Sequence, residues 1–137
     1  MKILLLGEYN ASHFNLKQAL IALGHQVLLV GHGDGFKKRP ADILFKQRFQ
    51  RGFWYYFRRV IHRLTKLDLN SISMSSQFKK HQSKFKDFDI VQLINERPFG
   101  CVPKTELELL AYIFKHNKKV FLLSNGTDYV SVKFAMD

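Results

Sequence analysis

The chain has 137 residues, enough for one domain with one core and too few for two ordinary ones. Hydrophobic residues make up 46% of it, Phe alone contributing 13, which excludes a globally disordered chain. With 22 Lys and Arg against 11 Asp and Glu the formal net charge is +11, a balance that calls for an anionic partner without choosing among nucleic acid, phospholipid and acidic substrates.

Lys2 to Leu6 is a continuous apolar run closed by Gly7, the pattern of a strand buried on both faces. The run is too short for the core of a signal peptide. Ser12 is placed to cap a helix in which Leu16, Ala19, Leu20 and Leu23 share one face, and Gly24 supplies its stop. Gln26 to Val30 is a second buried strand ending at Gly31. Together these form a βαβ unit with a right-handed crossover.

A glycine-rich loop, Gly31 to Gly35, leads into Lys37-Lys38-Arg39-Pro40. From Ala41 to Leu67 the spacing predicts a basic aromatic helical insertion (about residues 41–67). Phe45, Phe49, Phe53, Phe57, Val60 and Leu64 form its apolar stripe, and Arg48, Arg51, Arg58, Arg59 and Arg63 surround it. Gly52 marks where that helix would divide. Lys37 to Lys66 holds ten basic residues and one acid, a local net of +9, so an anionic partner should meet this stretch. Asn70 to Ser76 reads as a polar loop and Gln77 to Lys86 as a short helix.

Asp89 to Ile94 is a third strand, Lys104 to His116 a helix and Lys119 to Leu123 a fourth strand. Thr105 and Glu108 have the spacing of a capping box, with Leu107, Leu110, Ala111 and Phe114 toward the core. The expected fold is therefore α/β, a Rossmann-like parallel sheet flanked by helices. The Asp89–Ile94 strand should lie beside Lys2–Leu6, opposite Gln26–Val30, and all three runs are apolar enough to need helices on both sides. The chain reads as one domain over residues 1–137, cut inside a fold.

A parallel sheet places its site outside the carboxyl ends of its strands. Four loops qualify: Gly7 to Ser12, Gly31 to Pro40, Asn95 to Pro103 and Ser124 to Asp128. Their polar residues include Glu8, Asp34, Asn95, Glu96, Arg97, Asn125, Thr127 and Asp128, with His13 on the first helical turn. A helix N-terminus favours a neutral imidazole at His13, able to accept a proton or bond a sugar hydroxyl.

Other chemistries find little support. The first turn has one glycine where a dinucleotide fingerprint needs three, Glu8 opposes a phosphate, and Gly31-His32 replaces the ribose-binding acid. No Gly-Lys-Ser/Thr triplet forms a Walker loop. The six histidines and lone Cys101 lack metal-ligand spacing, so neither metal nor cofactor is expected. That one cysteine also rules out an internal disulfide and favours a reducing, cytoplasmic setting. No run approaches a membrane span. The basic helix is open to three readings: a solvated face, an interfacial helix on an anionic membrane with Trp54, Tyr55 and Tyr56 at headgroup level, or a nucleic-acid contact, for which no recognition motif is present.

The order of these features resembles the amino-terminal domain of GT-B-fold, retaining, nucleotide-sugar-dependent glycosyltransferases that build bacterial surface polysaccharides. The matching stretches are Lys2 through Tyr9, Leu16 through Val27, Gly33 through Lys38, Phe88 through Leu93 and Lys119 through Leu123. The resemblance implies an acceptor-side half that is inactive alone, because the nucleotide sugar is held mainly by a second domain. It implies a glycan or lipid-linked acceptor near His13, and at Gly7 close backbone approach to the transferring sugar or donor phosphates. Many relatives carry a histidine where this chain reads Ser124-Asn125-Gly126-Thr127-Asp128; either Asn125 or Asp128 substitutes, or the acceptor chemistry differs. The alternatives are a non-enzymatic Rossmann-like module that binds anionic membrane or a partner through its basic helix, and a flavodoxin-like or other nucleotide-binding domain. In the membrane reading the domain is peripheral at the inner face of the plasma membrane. The phenylalanines then face protein, and Arg48, Arg51, Arg58, Arg59, Arg63 and Trp54 face lipid.

Overall fold

A computed structural model describes residues 1–32, 40–47, 49, 52–123 and 133. Five parallel strands form one sheet: β1 (Lys2–Leu6), β2 (Gln26–Gly31), β3 (Ile43–Leu44), β4 (Ile90–Leu93) and β5 (Lys119–Leu122), in the order β3-β2-β1-β4-β5. Among the described residues it is accompanied by the α-helices α1 (Ser12–Ala22), α2 (Phe53–Thr65), α3 (Leu69–His81) and α4 (Pro103–His116). The fold is Rossmann-like α/β, and β4 lies beside β1 on the side away from β2, as the apolar runs require.

Alternation along β1 assigns the two faces. Leu4 and Leu6 enter the larger core with Met74 and Phe78 of α3 and Leu109, Leu110 and Ile113 of α4. Ile3 and Leu5 turn the other way, joining Leu29 against Phe14, Leu16 and Leu20 of α1. Both faces of β1 are thereby closed. On the α1 side the cover thins outward: Ile90 and Gln92 of β4 are half-buried and Phe121 of β5 is exposed.

The expected helix from Ala41 to Leu67 is replaced by two elements. Asp42 bonds the edge of β2 twice, its Oδ2 accepting from the Leu29 amide (2.7 Å) and its own amide donating to the Leu29 carbonyl (2.9 Å). Ile43 and Leu44 then pair as a short edge strand. Phe45 leaves the sheet for the core, edge-on to Phe85 with ring centroids 6.1 Å apart. Gly52, at φ +61°, opens α2, a backbone conformation that side chains resist. Phe45 and Phe57 therefore do not share a stripe, although their spacing matches one.

Three further expectations are corrected. Asn70–Ser76 belongs to α3, because Asp68 caps the helix, accepting from the Ser71 amide (2.9 Å) and hydroxyl (2.7 Å). The small side chain of Ser71, with Asn70, Met74 and Phe78, forms the buried face. Ser12 is the first residue of α1 and the cap position falls on Ala11; the amide of Phe14 is met instead by Glu8 Oε2 (2.8 Å). Thr105 and Glu108 do not form a capping box. Pro103 starts α4, and Glu106 accepts from the amides of Phe99 (2.8 Å) and Cys101 (2.7 Å). The buried set is Glu106, Leu109, Leu110 and Ile113, while Leu107 and Phe114 are exposed.

Candidate functional site

In the order β3-β2-β1-β4-β5 the chain leaves β1 toward one sheet edge and β4 toward the other, so the crevice lies between their carboxyl ends. Its floor is Gly7 and Ile94. Gly7 has φ +87°, and a Cβ there would overlap Cγ2 of Ile94. The space that makes residue 7 a glycine is thus filled by the neighbouring turn. Its amide donates to the Val30 carbonyl (2.8 Å), and its carbonyl accepts from Nδ1 of His13 (2.8 Å).

That last bond fixes the imidazole. A carbonyl can only accept, so Nδ1 carries the proton and Nε2 presents a lone pair. Burial holds the His13 pKa below its ordinary value, against the opposing pull of the Gly7 carbonyl and the nearby Glu8 charge. The ring is neutral at neutral pH. Beside it, buried Glu8 gives one oxygen to the Phe14 amide. Among the described residues Glu8 Oε1 and His13 Nε2 have no hydrogen-bond partner, and both are shut off from solvent. Each such acceptor costs about 1–3 kcal/mol until a donor meets it. Asn10 and Ala11 shape the connecting turn with φ of +49° and +65°, the Ser12 amide donating to the Tyr9 carbonyl (2.9 Å). For alanine that region is uncommon and strained.

The β4 side is built differently. Asn95 Oδ1 accepts from the Arg97 amide (3.0 Å), the guanidinium of Arg97 donates to the Cys101 carbonyl, and Glu96 is exposed. Asn95 and Arg97 thus shape the turn. Burial pushes the Cys101 thiol up to about 11, with the Glu106 charge adding to it, so this thiol is a packing group. Asp34, Asn125, Thr127 and Asp128 lie outside the described residues, as do Arg48 and Arg51. Among the described residues no group of three or more His, Cys, Asp or Glu could hold a metal ion.

The remaining basic-face residues are on α2. Phe53, Phe57, Val60 and Leu64 are exposed, so the phenylalanines of α2 do not face protein. Arg58 does: its Nε donates to buried Asp68 (2.7 Å). Burial alone would raise the Asp68 pKa, but the Ser71 hydroxyl and amide and the Arg58 guanidinium outweigh it and hold the carboxyl below its ordinary value. A hollow of about 880 Å³ adjoins the helix, its lining including Tyr55, Arg59, Arg63 and Lys66 together with the Arg58-paired Asp68 and Val102 of the loop after β4. Asp68 and Glu106 escaped the sequence reading. The Asp-x-x-Ser spacing of Asp68 and Ser71 was a capping signal that could have found the first.

Comparison of the chain with family models, with curated proteins and with solved structures finds no match.

Proposed function

We propose that this domain is the acceptor-side half of a nucleotide-sugar-dependent glycosyltransferase, binding a glycan or lipid-linked acceptor and inactive without a donor domain. The observation that carries the reading is the pair of unpartnered acceptors, Glu8 Oε1 and His13 Nε2, at the carboxyl end of β1. Two neighbouring acceptors, one of them anionic, repel a phosphate and call for hydrogen-bond donors. Sugar hydroxyls supply such donors. The neutral Nε2 takes one hydroxyl hydrogen and orients that oxygen's lone pairs outward; Glu8 takes a second and fixes the ring. Because both atoms are closed to solvent, the acceptor reaches them with a shift of the adjoining turn. In this reading donor phosphates belong on a donor domain, and a lipid-linked acceptor would put the acceptor domain at the cytoplasmic face of the plasma membrane.

The test is ¹⁵N-detected histidine NMR of the chain titrated with hydroxyl-rich saccharides and, separately, with nucleotide sugars. The expected result is a shift of His13 Nε2 with a subset of saccharides and none with nucleotide sugars. A nucleotide sugar that binds tightly would place the donor site within these residues. A His13 resonance indifferent to every saccharide would remove the glycosyltransferase reading.

A further inference from the structure

Helix α2 buries none of its residues. Each residue advances an α-helix by about 100°, so Phe53, Phe57, Val60 and Leu64 fall on one edge, and they are 75%, 41%, 56% and 78% exposed. Trp54 flanks that edge on one side and Arg63 on the other. Arg59, Tyr55 and His62 continue round the remaining face, and all are exposed. Among the described residues the helix meets the rest of the domain through half-buried Ile61, the Arg58–Asp68 pair and Trp54, which stands edge-on to Phe49 with ring centroids 6.1 Å apart. It carries no acidic residue. The acid beside it, Asp68, is already engaged by Arg58.

We infer that α2 lies in the interfacial plane of an anionic lipid bilayer, with the Phe53–Leu64 edge among the acyl chains and Arg59, Arg63 and Lys66 on the headgroup phosphates. Several features together select this occupant. An apolar edge of this size, open to water, marks an interaction surface. Its flanks are aromatic and cationic, which suits the headgroup layer, where Trp sits at the boundary and Arg extends to phosphate. A second copy of the chain would bring Arg59 and Arg63 against their own kind, with no acid on the helix to pair them. No helix among the described residues is long and apolar enough to cross a membrane, so contact is from one side. The hollow along Tyr55, Arg59, Arg63 and Lys66 receives the phosphate groups. Arg58 is a strut that sets the tilt of the helix. This inference deepens the membrane part of the reading above and does not depend on the sugar chemistry.

Trp54 is the single tryptophan of the chain, so its fluorescence reports the helix directly. The experiment mixes the whole chain with vesicles of phosphatidylglycerol and phosphatidylcholine, or of phosphatidylcholine alone, at low and high salt. Sedimented protein and Trp54 emission are both read. The expected result is binding about tenfold or more stronger to the anionic vesicles, weakened by salt, with a blue shift of Trp54. Phe57→Ser with Leu64→Ser should abolish the blue shift, and Arg59→Glu with Arg63→Glu should reduce binding about tenfold or more. Lys104→Glu, on exposed α4 surface, should leave both readouts near wild type. Binding indifferent to lipid charge would overturn the inference, as would a Trp54 spectrum unchanged by anionic vesicles. A dimer seen by sedimentation equilibrium and dissolved by the serine pair would give the edge to a second copy instead. Saccharide titration of His13 is unaffected by any of these outcomes, so the two readings fail separately.

Discussion

Helices α2 and α4 are near equals in length, 13 and 14 residues, and both alternate apolar with charged faces. Their fates are opposite. Helix α4 sets Leu109, Leu110 and Ile113 into the sheet and even buries Glu106, whose two oxygens are met by backbone amides. Helix α2 carries more aromatic bulk and buries none of it. Amphipathic spacing specifies which side of a helix avoids water; it does not specify what covers that side. A crossover helix between adjacent strands has its cover supplied by topology. A helix hung between an edge strand and the next helix does not.

The contrast is sharpest in the core. Ile113→Ala should cost about 2–5 kcal/mol, since a fully buried side chain leaves a cavity. Urea unfolding followed by circular dichroism measures it, and a loss below about 1 kcal/mol would mean that α4 is no better anchored than α2.

The junction between the two helices comes next. Asp68→Ala removes the α3 cap and the acceptor for Arg58, and should cost about 2 kcal/mol. Arg58→Ala should cost less, because Asp68 keeps its bonds to Ser71. A double-mutant cycle on the same unfolding assay should show positive coupling; simple additivity would mean that the pair seen here contributes nothing. The pH dependence has a definite sign. The Asp68 carboxyl is held below its ordinary value, so its contribution is full above the unfolded pKa near 3.8 and is lost as pH falls through the lower folded one.

A smaller effect concerns His13, and its window is different. With the folded pKa below the ordinary 6.5, the unfolded chain takes up a proton first. Stability is therefore full above about pH 6.5 and declines below it. Urea midpoints between pH 5 and 8 should fall toward acid in the wild type, and the fall below about pH 6.5 should flatten in His13→Asn, whose amide can still donate to the Gly7 carbonyl. Parallel slopes would show the imidazole to be charged or absent from the core.

The smallest change is expected on α2 itself. Phe57→Ala should alter stability by no more than about 0.5 kcal/mol, despite removing a whole ring. A loss of 2 kcal/mol would show that α2 is covered in solution, which would undo the comparison with α4.

Much of the sheet was legible in the sequence because central parallel strands are plain apolar runs: β1, β2 and β4 were placed to within a residue or two, and so was their order. Elements near the edges were not. Phe45 continued the spacing of a helix while Asp42 and Ile43 were pairing with β2, a contact between distant residues that no local pattern records. Ser71 and its neighbours read as loop because serine is a cap and turn former, yet here its small side chain lets α3 pack closely. The phase of α4 came out one residue late because a buried glutamate interrupts its apolar stripe. In the crevice, Glu8 was legible as a residue of the loop after β1 and His13 as one on the first turn of the next helix. Their bonding was not, since it depends on two left-handed residues, Asn10 and Ala11, neither of them glycine.

Gly7 and Ile94 share one volume at the floor of the crevice, and this bears on how the protein can change over generations. A methyl group at position 7 meets Ile94 and also faces the wrong backbone region, so a lone substitution there is penalised twice. Trimming residue 94 relieves the clash but leaves the strained torsion, and by itself opens a gap under the β4 turn. Neither order of events gives a sound intermediate. The two positions therefore drift as a locked pair, and variation at the mouth of the crevice is channelled into the flanking residues, which can change without disturbing its floor.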